Sequence, residues 1–150
     1  MTATLEFRSL DLLTALTSGG QGRRIQVVTG FLEPPAARGG DYLVAAKAGR
    51  ASYNRVADVL SIVLAGYIAA GDVASWRIIT DEWLAVLDEN GRTPGALIAR
   101  NGYLGLGVGD VASINARVKN VMPGPIVHGI FQRWSVELES VDPYWVVTAP

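Results

Sequence analysis

Apolar and polar positions alternate with a period of two along much of the chain. Period two places successive side chains on opposite faces of a strand. Thr4 to Arg8 alternates with Leu5 and Phe7 on one face, and Asp11 to Thr17 is a second candidate strand ended by Ser18, Gly19 and Gly20. Arg24 to Thr29 is rich in β-branched residues and reads as a third. Arg55 to Ala69 is apolar on both faces, with Val56, Leu60, Ile62 and Leu64 on one and Val59, Val63 and Tyr67 on the other. A strand of that kind is buried on both sides or lies in the middle of a sheet, and although its 15 residues would also suit a helix, the β-branched content and Gly66 favour a strand. Ala96 to Arg100 and Tyr103 to Val108 flank Asn101-Gly102, a strong hairpin signal. Ser113 to Val121 sets Ile114, Ala116 and Val118 against Asn115, Arg117 and Lys119. Ile130 to Val141 alternates most cleanly, with Trp134, Val136 and Leu138 inward and Arg133, Ser135, Glu137 and Glu139 outward.

The period changes once. From Asp72 to Glu89 the apolar positions Trp76, Ile79, Trp83, Val86 and Leu87 follow helical spacing. Asp72 is placed to accept first-turn amides, and Asn90-Gly91 supplies a left-handed stop. The segment from Gly30 to Arg50 has neither period. It carries Pro34, Pro35, Gly39, Gly40 and Gly49 and reads as a long extended loop, in which only Tyr42 to Ala45 can pair as a strand. The expected fold is mainly β in one domain over residues 1–150: a two-sheet sandwich or open barrel with one flanking helix at about 72–89 and a long loop at about 30–50.

Composition sharpens this picture. The 150 residues include 13 basic and 14 acidic side chains, one His and no Cys. Disulfides, thiolate metal sites and multi-histidine metal sites are excluded, and a net charge of −1 argues against a dedicated nucleic-acid module. Charged residues make up 18% of the chain against ~25% in ordinary soluble domains. Either a membrane or other subunits must then cover apolar surface. The longest near-apolar run, Val59 to Ala70, falls short of the ~20 residues a spanning helix needs. The start, MTATLEFRS, has no basic segment followed by an apolar one, so no secretory leader is expected. Burial between subunits is the remaining explanation.

Candidate chemistry is sparse. His128 has no nucleophile or carboxylate partner that can be placed beside it, and the adjacent Asp81 and Glu82 diverge by about 100° on a helix. Gly102, Gly105, Gly107 and Gly109 lack the Lys-Ser/Thr pair and following helix of a phosphate loop. They fit a strand closely approached by another backbone, or a flexible edge. Glu137 and Glu139 share one strand face, which suits solvation or a salt bridge between subunits. Arg38, Lys47, Arg50 and Arg55, interleaved with Tyr42 and Tyr53, form only a thin basic patch that suits solvent or subunit contact. No catalytic residue, metal or cofactor is expected.

The order of segments carries a resemblance. RGGDYLVAAKAGR, followed by a long strand, resembles the Arg-Gly-x-Asp-Tyr-x-Val-Pro-Gly-x-x-Gly-Arg segment of siphophage distal tail proteins and related minor tail proteins. The matching positions are Arg38, Gly39, Asp41, Tyr42, Val44, Gly49 and Arg50, and Ala45 and Ala46 stand where the family has Pro-Gly. Val141 to Trp145 is similar to the family's Val-Asp-Pro-Tyr-Trp ending. The resemblance implies a tail-tube-like fold assembled as a hexameric ring at the distal end of a phage tail. Such a ring joins the tail tube to the baseplate hub, near the tape measure protein, and DNA passes through its channel without specific binding. It implies a virion location after assembly in the host cytoplasm, and a minimal form without an added C-terminal carbohydrate-module-like domain. Arg38, Asp41, Tyr42, Arg50 and Arg55 are then candidate subunit contacts, and Glu137 and Glu139 candidates for a mildly acidic channel wall. The alternatives are another tail ring component (tube, terminator or head-tail adaptor) and, more remotely, a small hydrolase or ligand-binding β-domain.

Overall fold

The computed structural model describes residues 2–13, 22–33, 37–38, 41–43, 50–52, 56–57, 60–88 and 93–150. Among the described residues, twelve strands and one α-helix follow in order: β1 Thr4–Phe7, β2 Leu10–Asp11, β3 Gly22–Thr29, β4 Ala37–Arg38, β5 Asp41–Leu43, β6 Arg50–Ser52, β7 Val56–Ala57, β8 Ser61–Ala69, α1 Val73–Asp88, β9 Gly95–Arg100, β10 Val111–Val127, β11 Phe131–Ser140 and β12 Val146–Thr148. The fold class is mainly β with one flanking helix. Eight strands form one open antiparallel sheet in the order β2-β1-β9-β10-β11-β8-β3, with β12 beside the start of β10.

A single core lies on one face of that sheet. Leu5 and Phe7 of β1, Leu97 and Ala99 of β9, Ile114 of β10, Val136 and Leu138 of β11, Ile62 and Leu64 of β8 and Ile25 of β3 are all buried in it. Strands from both ends of the sheet share these contacts, so the sheet curves around them. α1 closes the open side with Trp76, Trp83 and Leu87 buried and Ile79 and Val86 packed behind, the stripe expected from the spacing. Trp83 meets Trp134 edge to face at 6.4 Å between ring centroids. Two arginines fasten the helix to the strands. Buried Arg23 donates to the Ile79 carbonyl and to Glu82, each at 3.2 Å, and Arg8 donates to the carbonyls of Val86 and Thr93.

Several boundaries differ from expectation, for physical reasons. Of the strand expected from Asp11 to Thr17, Asp11 pairs in β2 while Leu12 and Leu13 lie outside any strand. Left-handed Arg8 and Ser9 reverse the chain tightly, and the Asp11 carboxylate then accepts the Leu13 amide in a local turn. Residues 14–17 lie outside the described residues. The strand expected over Arg55 to Ala69 is divided: β8 begins at Ser61, and Val56–Ala57 pairs elsewhere. Arg55 itself lies outside the described residues. On β8 Ile62, Leu64 and Ile68 of one face are fully buried, while Val63, Ala65 and Tyr67 on the other are half-buried. Gly66 serves close packing: a Cβ there would stand 1.9 Å from the Arg24 carbonyl oxygen.

The helix begins as expected. Asp72 accepts the Ser75 amide at 2.8 Å and the Ser75 hydroxyl at 3.0 Å. Its expected stop at Asn90-Gly91 lies outside the described residues. The hairpin expected between 96–100 and 103–108 forms instead between β9 and β10, across a longer connection. Asn101 and Gly102 are left-handed as the signal requires, but Tyr103–Gly105 is a 3₁₀ turn. The Tyr103 ring is buried against Phe31 at 5.4 Å and its hydroxyl accepts the Val27 amide at 2.9 Å, which removes the segment from strand geometry. Gly105 and Gly109, at φ +95° and +83°, are turn glycines rather than strand glycines. β10 also runs beyond its expected end at Val121, through Pro123 and Pro125. Its partner β9 pairs only as far as Ala116, so those prolines sit where that side needs no amide donor.

Candidate interaction surfaces

The segment expected to be an irregular loop over 30–50 contains regular pairing. β4 pairs with β7, Ala37 opposite Ala57, and β5 pairs with β6, Tyr42 opposite Ala51. The two antiparallel ladders differ in register by one residue, as in a hairpin interrupted by a one-residue bulge. This arm leaves the end of β3 and returns at the start of β8, two strands that are themselves paired. Of the candidate contact residues, Arg38 lies on β4, Asp41 and Tyr42 on β5, and Arg50 on β6 opposite Leu43. The expected pairing of Tyr42 to Ala45 holds for Tyr42 and Leu43, and 44–45 lie outside the described residues. Four of the five contact positions therefore share one arm.

Glu137 and Glu139 lie on the sheet face turned away from the helix. Glu139 is 3.9 Å from Arg117, and Glu137 is 3.5 Å from Lys119 and accepts the Ser61 hydroxyl at 3.1 Å. On the same face Arg100 pairs with Glu6 at 3.0 Å. Exposed pairs of this kind stabilise a fold by only about 0–1 kcal/mol each. Their main effect is on charge: both glutamates are matched by cations on β10, so this part of the face is balanced rather than acidic.

The same face holds a row that sequence reasoning did not assemble. Arg24, Tyr67 and Arg133 stand directly opposite one another on β3, β8 and β11. Neither arginine makes an ion pair among the described residues. Tyr67 stacks on Phe131 at 5.5 Å with 26° between the rings. Ala65, Gly66, Tyr67, Arg133 and Trp134 line a shallow cavity of about 380 Å³. Strand alternation marked Arg133 as outward, but only the pairing brings it into line with Arg24.

The remaining candidates are structural. His128 is exposed in the tight β10–β11 turn, left-handed together with Gly129. Glu82 pairs with Arg23, and Asp81 points to solvent. The closing Val141 to Trp145 segment carries the chain from β11 to β12: the Val141 amide donates to Asn115, and the Trp145 indole donates to the Gly30 carbonyl at 2.8 Å. Among the described residues no group of acidic or imidazole side chains could hold a metal ion, and no helix is long and apolar enough to cross a membrane.

No family model matches the sequence, and no curated protein matches it. Among solved structures the fold is similar to that of the Dit protein of SPP1, described as a paradigm of the hub adsorption apparatus in phages infecting Gram-positive bacteria. The TM-score is 0.61 at 11% identity. The likeness covers 100% of this chain and 53% of Dit, so the chain spans about half the length of that protein. At this identity the likeness is one of fold.

Proposed function

We propose that this chain is a structural protein of a phage tail, forming a ring at its distal end that links the tail tube to the baseplate hub. The observation that carries this reading is the fold likeness to Dit over the whole chain. The hairpin arm between β3 and β8 supports it, because a paired arm can reach across a neighbour. So does the low charge content, which a subunit covered on two sides by its own copies explains. The role is non-enzymatic. Its partners are further copies of the chain, in a hexamer, then the tail tube protein, the hub and the tape measure protein. The protein resides in the virion after assembly in the host cytoplasm, and DNA crosses the channel past the face that bears Glu137 and Glu139.

Arg38, Asp41, Tyr42, Arg50 and Arg55 are the proposed subunit-contact residues. Tyr and Arg buried by a partner tend to anchor interfaces. Antibody labelling of intact virions tests the position: label confined to the tail tip is expected. Label along the whole tail would instead assign the chain to the tube, and absence from virions would overturn the reading.

A further inference from the structure

The outer sheet face divides its cations into two groups. Arg100, Arg117 and Lys119 each have a carboxylate partner. Arg24 and Arg133 have none among the described residues. From Arg133 to Glu137 is four residues along one strand, about 13 Å at ~3.3 Å per residue. That exceeds the ~8 Å screening length at physiological salt, and Glu137 is already engaged by Lys119 and Ser61. Among the described residues no carboxylate therefore balances the two guanidinium groups. Two strand spacings put their backbones about 10 Å apart, with Tyr67 between them.

The ring of Tyr67 has one face covered by Phe131. The cavity lies at Tyr67, with Ala65 and Gly66 offering little side-chain bulk and Arg133 forming one side. On the far flank of Arg133 stands Gly124, where an added Cβ would lie 3.6 Å from the Arg133 Cβ. A planar group can enter this slot and stack on the ring. An anion attached to that group would meet Arg133 at the cavity, with Arg24 on the neighbouring strand opposite Tyr67, and guanidinium forks bind phosphate oxygens in pairs.

We propose that the Arg24–Tyr67–Arg133 row is a nucleotide-binding site, taking the base of a single-stranded nucleic acid against Tyr67 and its phosphates on the two arginines. Single strands are bound without sequence preference by positive grooves whose aromatic side chains stack on bases, and this row supplies one such aromatic beside two cations. An acidic peptide would satisfy the arginines but leave the slot beside the ring unfilled, so the geometry favours a nucleotide. The site lies within one chain and stands or falls separately from ring formation.

The test uses the full chain and a fluorescein-labelled oligothymidylate, read by anisotropy at low salt. Saturable binding that weakens as salt rises is expected. Tyr67→Ala should weaken it about tenfold, and Tyr67→Phe, which keeps the ring, should hold it near the parent value. Arg24→Ala with Arg133→Ala should abolish it, while Arg117→Ala, which removes a paired cation of the same face, should leave it unchanged. Circular dichroism checks that each variant is folded. Thymidine monophosphate competing as well as the oligomer assigns the site to free nucleotide; much weaker competition assigns it to a strand. Absence of binding at low salt, insensitivity to both the tyrosine and arginine changes, or equal competition by polyglutamate would overturn the proposal.

Discussion

Tyr103 shows how one side chain settles a segment. Its ring is buried among Phe31 and the core, and its hydroxyl is the partner of a buried amide, that of Val27. Burial raises the phenol above its ordinary value of 10.0, and the bond from the Val27 amide works in the opposite direction. The neutral phenol is thus the favoured folded form. Its contribution is complete below pH 10.0 and is lost as pH rises through the raised value. Tyr103→Phe should remove this alkaline loss from a stability-versus-pH profile. It should also lower stability at neutral pH by about 1–3 kcal/mol, because the Val27 amide is left unpaired. None of this was legible in YLGLGVG, whose alternation with glycine resembles a strand. The partners of Tyr103 come from residues more than seventy positions away in the chain. Gly66 is a related case. Its place in a strand was readable, but its reason is the Arg24 carbonyl on β3. Gly66→Ala should force β3 and β8 apart and cost about 3 kcal/mol in chemical denaturation.

At the scale of elements, α1 was the most legible. Helical spacing, an N-capping Asp and a charged outer side all point to one answer, and the packing agrees. The Ser75 amide and hydroxyl hold the Asp72 carboxyl below its ordinary 3.8. That capping contribution is present above this value and fades as pH falls through the lowered one. Trp83→Ala should cost about 3–5 kcal/mol, since the ring is fully buried against the sheet and Trp134. An equilibrium urea titration measures it. The arm was the least legible element, because Pro34, Pro35 and three glycines hide strands of two and three residues from any periodicity argument. The end of β10 was obscured in the same way by Pro123 and Pro125. Removing residues 37–57 with a short turn in their place should leave the β3–β8 pairing and the far-ultraviolet spectrum intact. In the proposed assembly the same deletion should abolish association. A chain that still assembled without its arm would remove the arm from the interface.

Over the whole molecule, the fold class followed from alternation, because a half-buried strand writes its pattern directly into sequence. The order of strands within the sheet did not, since pairing β1 with β9 and β8 with β11 depends on contacts distant in the chain. The candidate surface divides the same way. Glu137 and Glu139 were readable as outward residues, but their neutralisation by Lys119 and Arg117 and the Arg24–Tyr67–Arg133 row needed the register. Low charge content was readable at once, and its meaning is an assembly claim. Exposed Val28, Ile78, Val108 and Val146 leave apolar surface on the isolated chain that copies in a ring would cover. Mass photometry of the purified protein, across a dilution series, tests that claim most directly. A species of six times the chain mass that persists on dilution and is lost with the arm is expected; a strict monomer at every concentration would overturn ring assembly.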